Sequence, residues 1–291
     1  MVKSMYSGIS GLRAHQQKMD VIGNNIANVN TFGYKAGRVT FKESLYQTTS
    51  ASSNGNDVFG GSNPSQIGYG SQIGTIDLMF SSGAFAPTDS ATDCMIDGQG
   101  FFILGPKNEE IDTSNAEEMS KSMLSRVGNF VFDGEGYLCD GNGNVVYGYS
   151  YDGGAYDEGV IKPIRVPIVD DKPITLNNIK ISDTGEIIGT DDKGENVTVG
   201  MIALANVPNP NALEKTQGPY YTMRLNTGEI TPHKPGEGTT GKLISNGLEM
   251  SNVDISREFS EMITTQRGFQ ANTKIITVTD EMLQELVNMK R

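Results

Sequence analysis

A heptad repeat of apolar residues runs through the C-terminal end of this 291-residue chain, from about residue 254 to residue 289. The repeat consists of Ile255, Met262, Phe269, Ile276 and Leu283, with Phe259 and Leu286 at flanking positions. No proline interrupts the segment, so the pattern predicts one continuous helix, about 52 Å long at ~1.5 Å per residue. This helix is longer than a small domain usually contains, so other helices or strands are expected to pack along it.

Polar residues within this helix indicate how many partners it needs. Gln266, Thr273 and Asp280 stand at positions that alternate with the apolar repeat. A two-stranded coiled coil with such polar positions would be weak. The helix is therefore predicted to pack against several neighbours, and Ser251 before Asp254 resembles a capping box at its start.

A second amphipathic helix is predicted at the N-terminal end, over about residues 4–28. Its apolar residues are Met5, Leu12, Met19 and Ile26, spaced seven apart, together with Ile9 at an offset position. A polar cluster that begins at Asn28 ends the helix. The pattern alone fits equally well an ordinary helix packed on its own domain.

The sequence between the two helices is typical of a β domain. Short β-type runs such as Phe101–Leu104 and Val145–Tyr149 alternate with turn signals such as Asp133-Gly134 and Asp140-Gly141. Because Asp-Gly is a strong hairpin signal, these runs predict antiparallel pairing.

The predicted fold class is therefore α+β, in which discontinuous terminal helices form a coiled-coil domain and the central domain is mainly antiparallel β. The predicted parts are residues 1–46 for the first helix and the start of a connector, 47–72 for an extended connecting segment, 73–240 for the β domain and 241–291 for the second helix.

The distribution of charge also distinguishes the two ends of the chain from its middle. Residues 1–46 carry six Lys and Arg against two acids, residues 47–240 carry 11 against 26, and residues 241–291 carry six against seven. The acidity of the whole chain, with a formal net charge of −12, disfavours binding to nucleic acid or an anionic membrane. The asymmetry predicts that the two ends and the middle meet different surroundings.

The supply of reactive side chains argues against an enzyme. The only histidines are His15 and His233, and the only cysteines, Cys94 and Cys139, form no CxxC motif, so neither a histidine metal cluster nor a zinc ribbon is predicted. We predict no catalytic residue, metal or cofactor. The longest mostly apolar segment, Val197–Val207, is too short to span a bilayer, so no membrane insertion is predicted.

Motifs at both ends resemble those of the bacterial flagellar rod and hook proteins. The N-terminal motif comprises Asp20, Gly23, Asn24, Asn25, Ala27, Asn28, Thr31, Gly33 and Lys35. The C-terminal motif comprises Ser251, Asn252, Val253, Asp254, Gln266, Arg267, Gln270 and Asn272. Residues 97–102 are similar to the opening of that family's β domain, and residues 63–68 to its connecting segment.

The resemblance implies a structural role in a helical homopolymer. Members of the family are exported by the flagellar type III apparatus without a cleaved signal, and their terminal helices pack in the inner wall of a tube. The implied partners are other copies of the chain, the distal rod protein, the hook cap, the hook–filament junction protein and the export apparatus. The apolar repeats of the two helices are then expected to form the coiled-coil seam, and the two motifs the assembly surface.

Two members of the family fit the sequence. The C-terminal stretch from residue 266 to residue 291 is most similar to the hook protein, so the sequence predicts a subunit of the flexible, extracellular hook. The alternative is the distal rod of the basal body, which shares both termini and in which a long segment like 47–72 is also found. An unrelated secreted or surface enzyme with helical tails is the other class that the sequence leaves open.

Overall fold

The computed structural model describes residues 2–54, 60–107, 111–112, 119–152, 155–156, 159–169, 172–174, 176–191 and 194–289. The chain divides into two compact units. The first, here called the terminal unit, comprises Met1–Val29, Ala36–Met79 and Val253–Arg291. The second, the β unit, comprises Asn30–Lys35 and Phe80–Asn252.

The terminal unit contains the two long helices and two hairpin-like strand pairs. Helix α1 spans Val2–Ala27 and helix α2 spans Ile255–Met289. The strands are β1 (Gly37–Glu43), β2 (Tyr46–Ser50), β3 (Ser65–Gly68) and β4 (Ser71–Leu78). Strand β1 pairs antiparallel with β4, and β2 pairs antiparallel with β3. Both helices lie close to their predicted positions because each apolar repeat is continuous and ends at polar residues.

The paired strands β2 and β3 lie where the sequence predicts an extended connecting segment. Every residue of both strands is exposed, and most of their side chains are small or polar. A strand with no buried face lacks the apolar alternation that identifies strands in a sequence, which explains why the sequence indicated only a connecting segment without paired strands. Together, strands β1 to β4 form a ribbon that belongs to the terminal unit. The ribbon continues to Leu78, beyond residue 73, where the β domain was predicted to start.

The β unit is built mainly on one large sheet. In order across this sheet, its main strands are Asn177–Ile181 (β17), Glu186–Thr190 (β18), Asn196–Ile202 (β19), Val145–Asp152 (β12), Phe101–Gly105 (β7), Met123–Ser125 (β9), Tyr220–Thr222 (β22) and Glu214–Lys215 (β21). Shorter strands attached to this sheet are β8 (Ile111–Asp112), β10 (Phe130–Phe132), β11 (Leu138–Asp140), β13 (Ala155–Tyr156), β14 (Val160–Pro163), β20 (Leu204–Asn206) and β23 (Thr231–His233). The pairs between these strands are antiparallel, so the predicted α+β class is confirmed.

The core of the β unit lies on this sheet, where Phe102, Leu104, Val146, Ile202 and Leu204 are fully buried. Three two-stranded pairs complete the unit: β5 (Phe85–Pro87) with β25 (Gly247–Glu249), β6 (Cys94–Asp97) with β24 (Lys242–Ser245), and β15 (Ile168–Val169) with β16 (Lys172–Pro173). Strands β24 and β25 therefore extend the β unit past residue 240, and the unit ends at Asn252.

Candidate assembly surface

Helices α1 and α2 approach each other closely at small residues. A side chain at Gly8 would contact Ile276, one at Gly11 would lie 2.7 Å from the amide of Asn272, and one at Gly268 would lie 2.7 Å from the ring of His15. The contacts advance along α1 as they retreat along α2, so the pair is antiparallel. Glycine permits this approach because it has no Cβ.

The buried row of this helix pair differs from the predicted apolar repeats. Ala14 and Ile22 are buried on α1, and on α2 the two buried residues are Thr265 and Thr279, each 2% exposed. Each threonine hydroxyl donates to the carbonyl one turn earlier, over 2.7 Å, so it is satisfied without leaving the helix. The polar row that faces α1 therefore contains Thr265 and Asn272, whereas Gln266, Thr273 and Asp280 are exposed.

The residues of the predicted coiled-coil seam lie beside this row. Half-buried members are Met5, Ile9, Leu12, Met19, Ile26, Met262, Phe269, Ile276 and Leu283, and exposed members are Ile255, Phe259 and Leu286. The helices approach most closely at Gly8, Gly11 and Gly268, and part of each larger side chain, Ile276 beside Gly8 included, stays uncovered. Their place in the seam of an assembled tube stays a prediction.

Large apolar side chains are exposed along the length of α2. Besides Ile255, Phe259 and Leu286, they are Ile263, Ile275, Val278, Met282, Val287 and Met289. Exposed apolar side chains in this number on one helix predict an interaction site. We call these nine side chains the outer apolar row.

Asn25 of the N-terminal motif holds the start of strand β1. Its side-chain amide donates to the Gly37 carbonyl and its oxygen accepts from the Gly37 amide, both over 2.9 Å. The same amide donates to Glu258 on α2 over 3.2 Å, and burial raises the pKa of that carboxyl group. One buried asparagine therefore joins α1, β1 and α2.

Lys35 of the same motif lies in a buried ionic cluster within the β unit. Its ammonium donates to Glu249 over 2.6 Å and to the Ser81 carbonyl over 2.9 Å. Arg126 lies 3.5 Å from the other oxygen of Glu249 and donates to the carbonyls of Ile96 and Gly98. Burial lowers the pKa of both Lys35 and Arg126, because desolvation disfavours the charged form.

Gly33 shows why the motif contains a glycine at this position. It adopts a φ of 66°, and its amide donates to the Glu249 carbonyl over 2.8 Å. A Cβ at this position would lie 2.7 Å from the Val127 side chain. Both the backbone conformation and the close neighbour therefore require glycine.

Replacing Gly33 with Ala is expected to destabilise the β unit by about 2 kcal/mol, because the left-handed conformation and the Val127 contact both disfavour a side chain. Gly143→Ala is the matched control: Gly143 has a φ of 86°, and among the described residues nothing lies within 4 Å of a Cβ there. This control is expected to cost about 1 kcal/mol. Urea denaturation followed by tyrosine fluorescence measures both, and equal losses would contradict the role given to Val127.

The remaining motif residues have different environments. Asp254 is the N-cap of α2, since its carboxylate accepts from the amides of Ser256 and Arg257. The Asn252 side chain donates to Ser81, and that of Asn28 donates to Asn24. Exposed members of the two motifs are Asp20, Gly23, Asn24, Ala27, Thr31, Gln266, Arg267 and Gln270, and half-buried members are Ser251 and Val253.

The described part of the chain offers few side chains suited to metal binding or catalysis. No group of three His, Cys, Asp or Glu residues is placed there to hold a metal ion. Cys94 and Cys139 are buried free thiols, and burial raises the pKa of each. Across the described ranges, no helix combines the length and apolarity needed to cross a membrane.

A chain whose two ends form one helical unit and whose middle forms a separate β unit is a discontinuous two-unit protein. Comparison with known proteins adds its family. The model described as "Flagella basal body rod protein" matches residues 5–35, and that described as "Flagellar basal body rod FlgEFG protein C-terminal" matches residues 244–289.

Relatives that align over the whole chain are flagellar rod and hook proteins. The chain is 42% identical to the flagellar basal-body rod protein FlgG of Bacillus subtilis over 292 positions, covering both chains completely. It is 32% identical to FlgG of Caulobacter vibrioides, with 97% of each chain covered. It is 27% identical to the flagellar hook protein FlgE of Borreliella burgdorferi over 441 positions, again covering both chains completely. The chain belongs to the flagellar rod and hook protein family.

Proposed function

We propose that this chain is a structural, non-catalytic subunit of the distal rod of the flagellar basal body. The observation that carries the proposal is the 42% identity to a rod protein over 292 aligned positions, nearly the 291 residues of this chain. Alignment with a hook protein needs 441 positions, so that relative contains long segments without counterparts here. A subunit of the hook is the second candidate, favoured by the C-terminal stretch.

The terminal unit supports a role in a polymer. Helix α2 exposes the outer apolar row, which copies of the chain would bury in the wall of a tube. When identical copies bind head to tail through two different surfaces, their contacts can repeat along a helical polymer without closing into a ring. The implied partners beyond other copies are the adjacent axial proteins and the flagellar export apparatus.

The strand ribbon supports the rod over the hook. Strand pairs β1–β4 and β2–β3 join residues 37–50 to residues 65–78 by backbone hydrogen bonds, with one shift of register in each pair. The segment is therefore a paired ribbon and not a free linker. A hydrogen-bonded ribbon is stiffer than a polar linker, and stiffness suits a drive shaft better than a flexible joint.

Labelling in the cell tests the proposal. An epitope inserted at the exposed turn beside Asn142 leaves both helices intact. Immunogold label confined to the shaft of isolated basal bodies is the expected result. Label along the curved external segment would overturn the rod assignment in favour of the hook, and label away from the flagellum would overturn both.

A further inference from the structure

His15 occupies the crossing point of three elements in the terminal unit. Its ring fills the space left by Gly268 on α2, where a Cβ would lie 2.7 Å from the ring atoms Cε1 and Nε2. The ring also packs edge-on against Phe41 of strand β1, with centroids 5.8 Å apart. Any change in the charge of this ring therefore acts directly on the contact between α1, α2 and β1.

The surroundings of His15 suit a neutral ring. Its Nδ1 atom is buried, and no described residue forms a hydrogen bond with it. Lys18 lies one turn along α1, with its ammonium 5.8 Å from the centroid of the same Phe41 ring. Burial, and then the charge of Lys18, lower the pKa of His15.

Compensating charge for a protonated ring is scarce on each packed element. Strand β1 presents the apolar Phe41, and α1 presents the cation Lys18. Helix α2 presents Glu261, but Lys18 already binds that carboxylate over 3.1 Å and Arg257 approaches it to 3.4 Å. Arg267, beside Gly268 in the sequence, adds positive charge to α2.

We propose that His15 makes the α1–α2 pair sensitive to pH, so that acidification opens the pair and disfavours assembly. The proposal rests on the proposed function, in which these helices form the wall of the polymer. A histidine whose pKa is lowered by folding binds its proton more readily when the pair is open. The pair is therefore fully stable above about pH 6.5, and it loses stability as the pH falls from there towards the lowered pKa of His15.

The nearby carboxyl groups do not produce the same response. The pKa of Glu258 is raised by burial, so its protonation at low pH relieves a cost and stabilises the folded unit. The pKa of Glu261 is lowered, and its effect begins only as the pH falls towards the ordinary value of about 4.5. As the pH falls from about 6.5 to 5.5, His15 is therefore the one of these three groups that weakens the pair.

Assembly of the purified full chain tests the proposal. The critical concentration of the wild type is expected to rise about fivefold from pH 7.5 to 5.5. His15→Gln places a neutral side chain there and is expected to reduce this rise to less than about twofold. His233→Gln is the matched control, because His233 is the other of the two histidines and lies in the β unit. It is expected to respond as the wild type does, and an equal rise in all three chains would overturn the role of His15.

Hydrogen exchange on the wild type supplies a readout that needs neither variant nor polymer. After correction for intrinsic rates, the amides of α1 between residues 11 and 18 are expected to lose protection at pH 5.5 relative to pH 7.5. Equal protection at the two pH values, or none at either, would overturn the proposal. A chain that fails to polymerise at every pH would instead overturn the proposed function.

Discussion

Replacing Glu249 with Gln is expected to lower the free energy of unfolding of the β unit by roughly 3–5 kcal/mol. The carboxylate is fully buried and holds Lys35 over 2.6 Å, with Arg126 3.5 Å from its second oxygen. Glutamine keeps the shape of the side chain but removes the negative charge, which leaves two cations in a desolvated site. The loss comes mainly from those uncompensated charges.

Urea denaturation followed by tyrosine fluorescence measures this loss, since the chain has 11 tyrosines and no tryptophan. Glu214→Gln is the matched control, because Glu214 pairs with Arg224 at a site where both side chains are more than half exposed. Solvent screens that pair, so the control is expected to lose less than about 1 kcal/mol. Similar losses in the two variants would show that burial does not set the strength of the Glu249 cluster.

The cluster also marks a limit of sequence analysis. Lys35 and Glu249 are 214 residues apart in the chain, and Lys35 was identified only through its motif. Arg126 directly follows strand β9, and no pattern in the sequence distinguishes it from a surface arginine. Pairing between such distant charges is determined by strand order, which the hydrophobic pattern does not encode.

The two helices show what the sequence can predict. The heptad repeat placed α2 within a residue or two of its limits, Ile255–Met289, because the pattern continues over many turns. It did not identify the row that faces α1, which contains Gly268, Thr265 and Asn272. An apolar repeat marks where hydrophobic side chains lie, but close approach of two helices is decided by small residues, which carry little hydrophobic signal.

Replacing both Val278 and Met282 with Asp is expected to abolish assembly while leaving the β unit folded. These residues belong to the outer apolar row, are one helical turn apart and are 38% and 44% exposed in the single chain. Burying the exposed part of each side chain in a polymer contact contributes roughly 1 kcal/mol, and burying each introduced carboxylate in the same contact costs at least about as much again. Together these losses raise the critical concentration at least about a hundredfold. Sedimentation of the polymer measures assembly, and urea denaturation checks the β unit.

The control must add the same charge without removing apolar surface. Thr273→Asp with Thr277→Asp does so, because both threonines are exposed on the same stretch of α2. This variant is expected to assemble within about tenfold of the wild-type critical concentration, since exposed charges interact weakly in water. If both double variants fail to assemble, added negative charge is the cause. If both assemble normally, the outer apolar row is not an assembly surface, and the contacts of the polymer must lie on other faces of the chain.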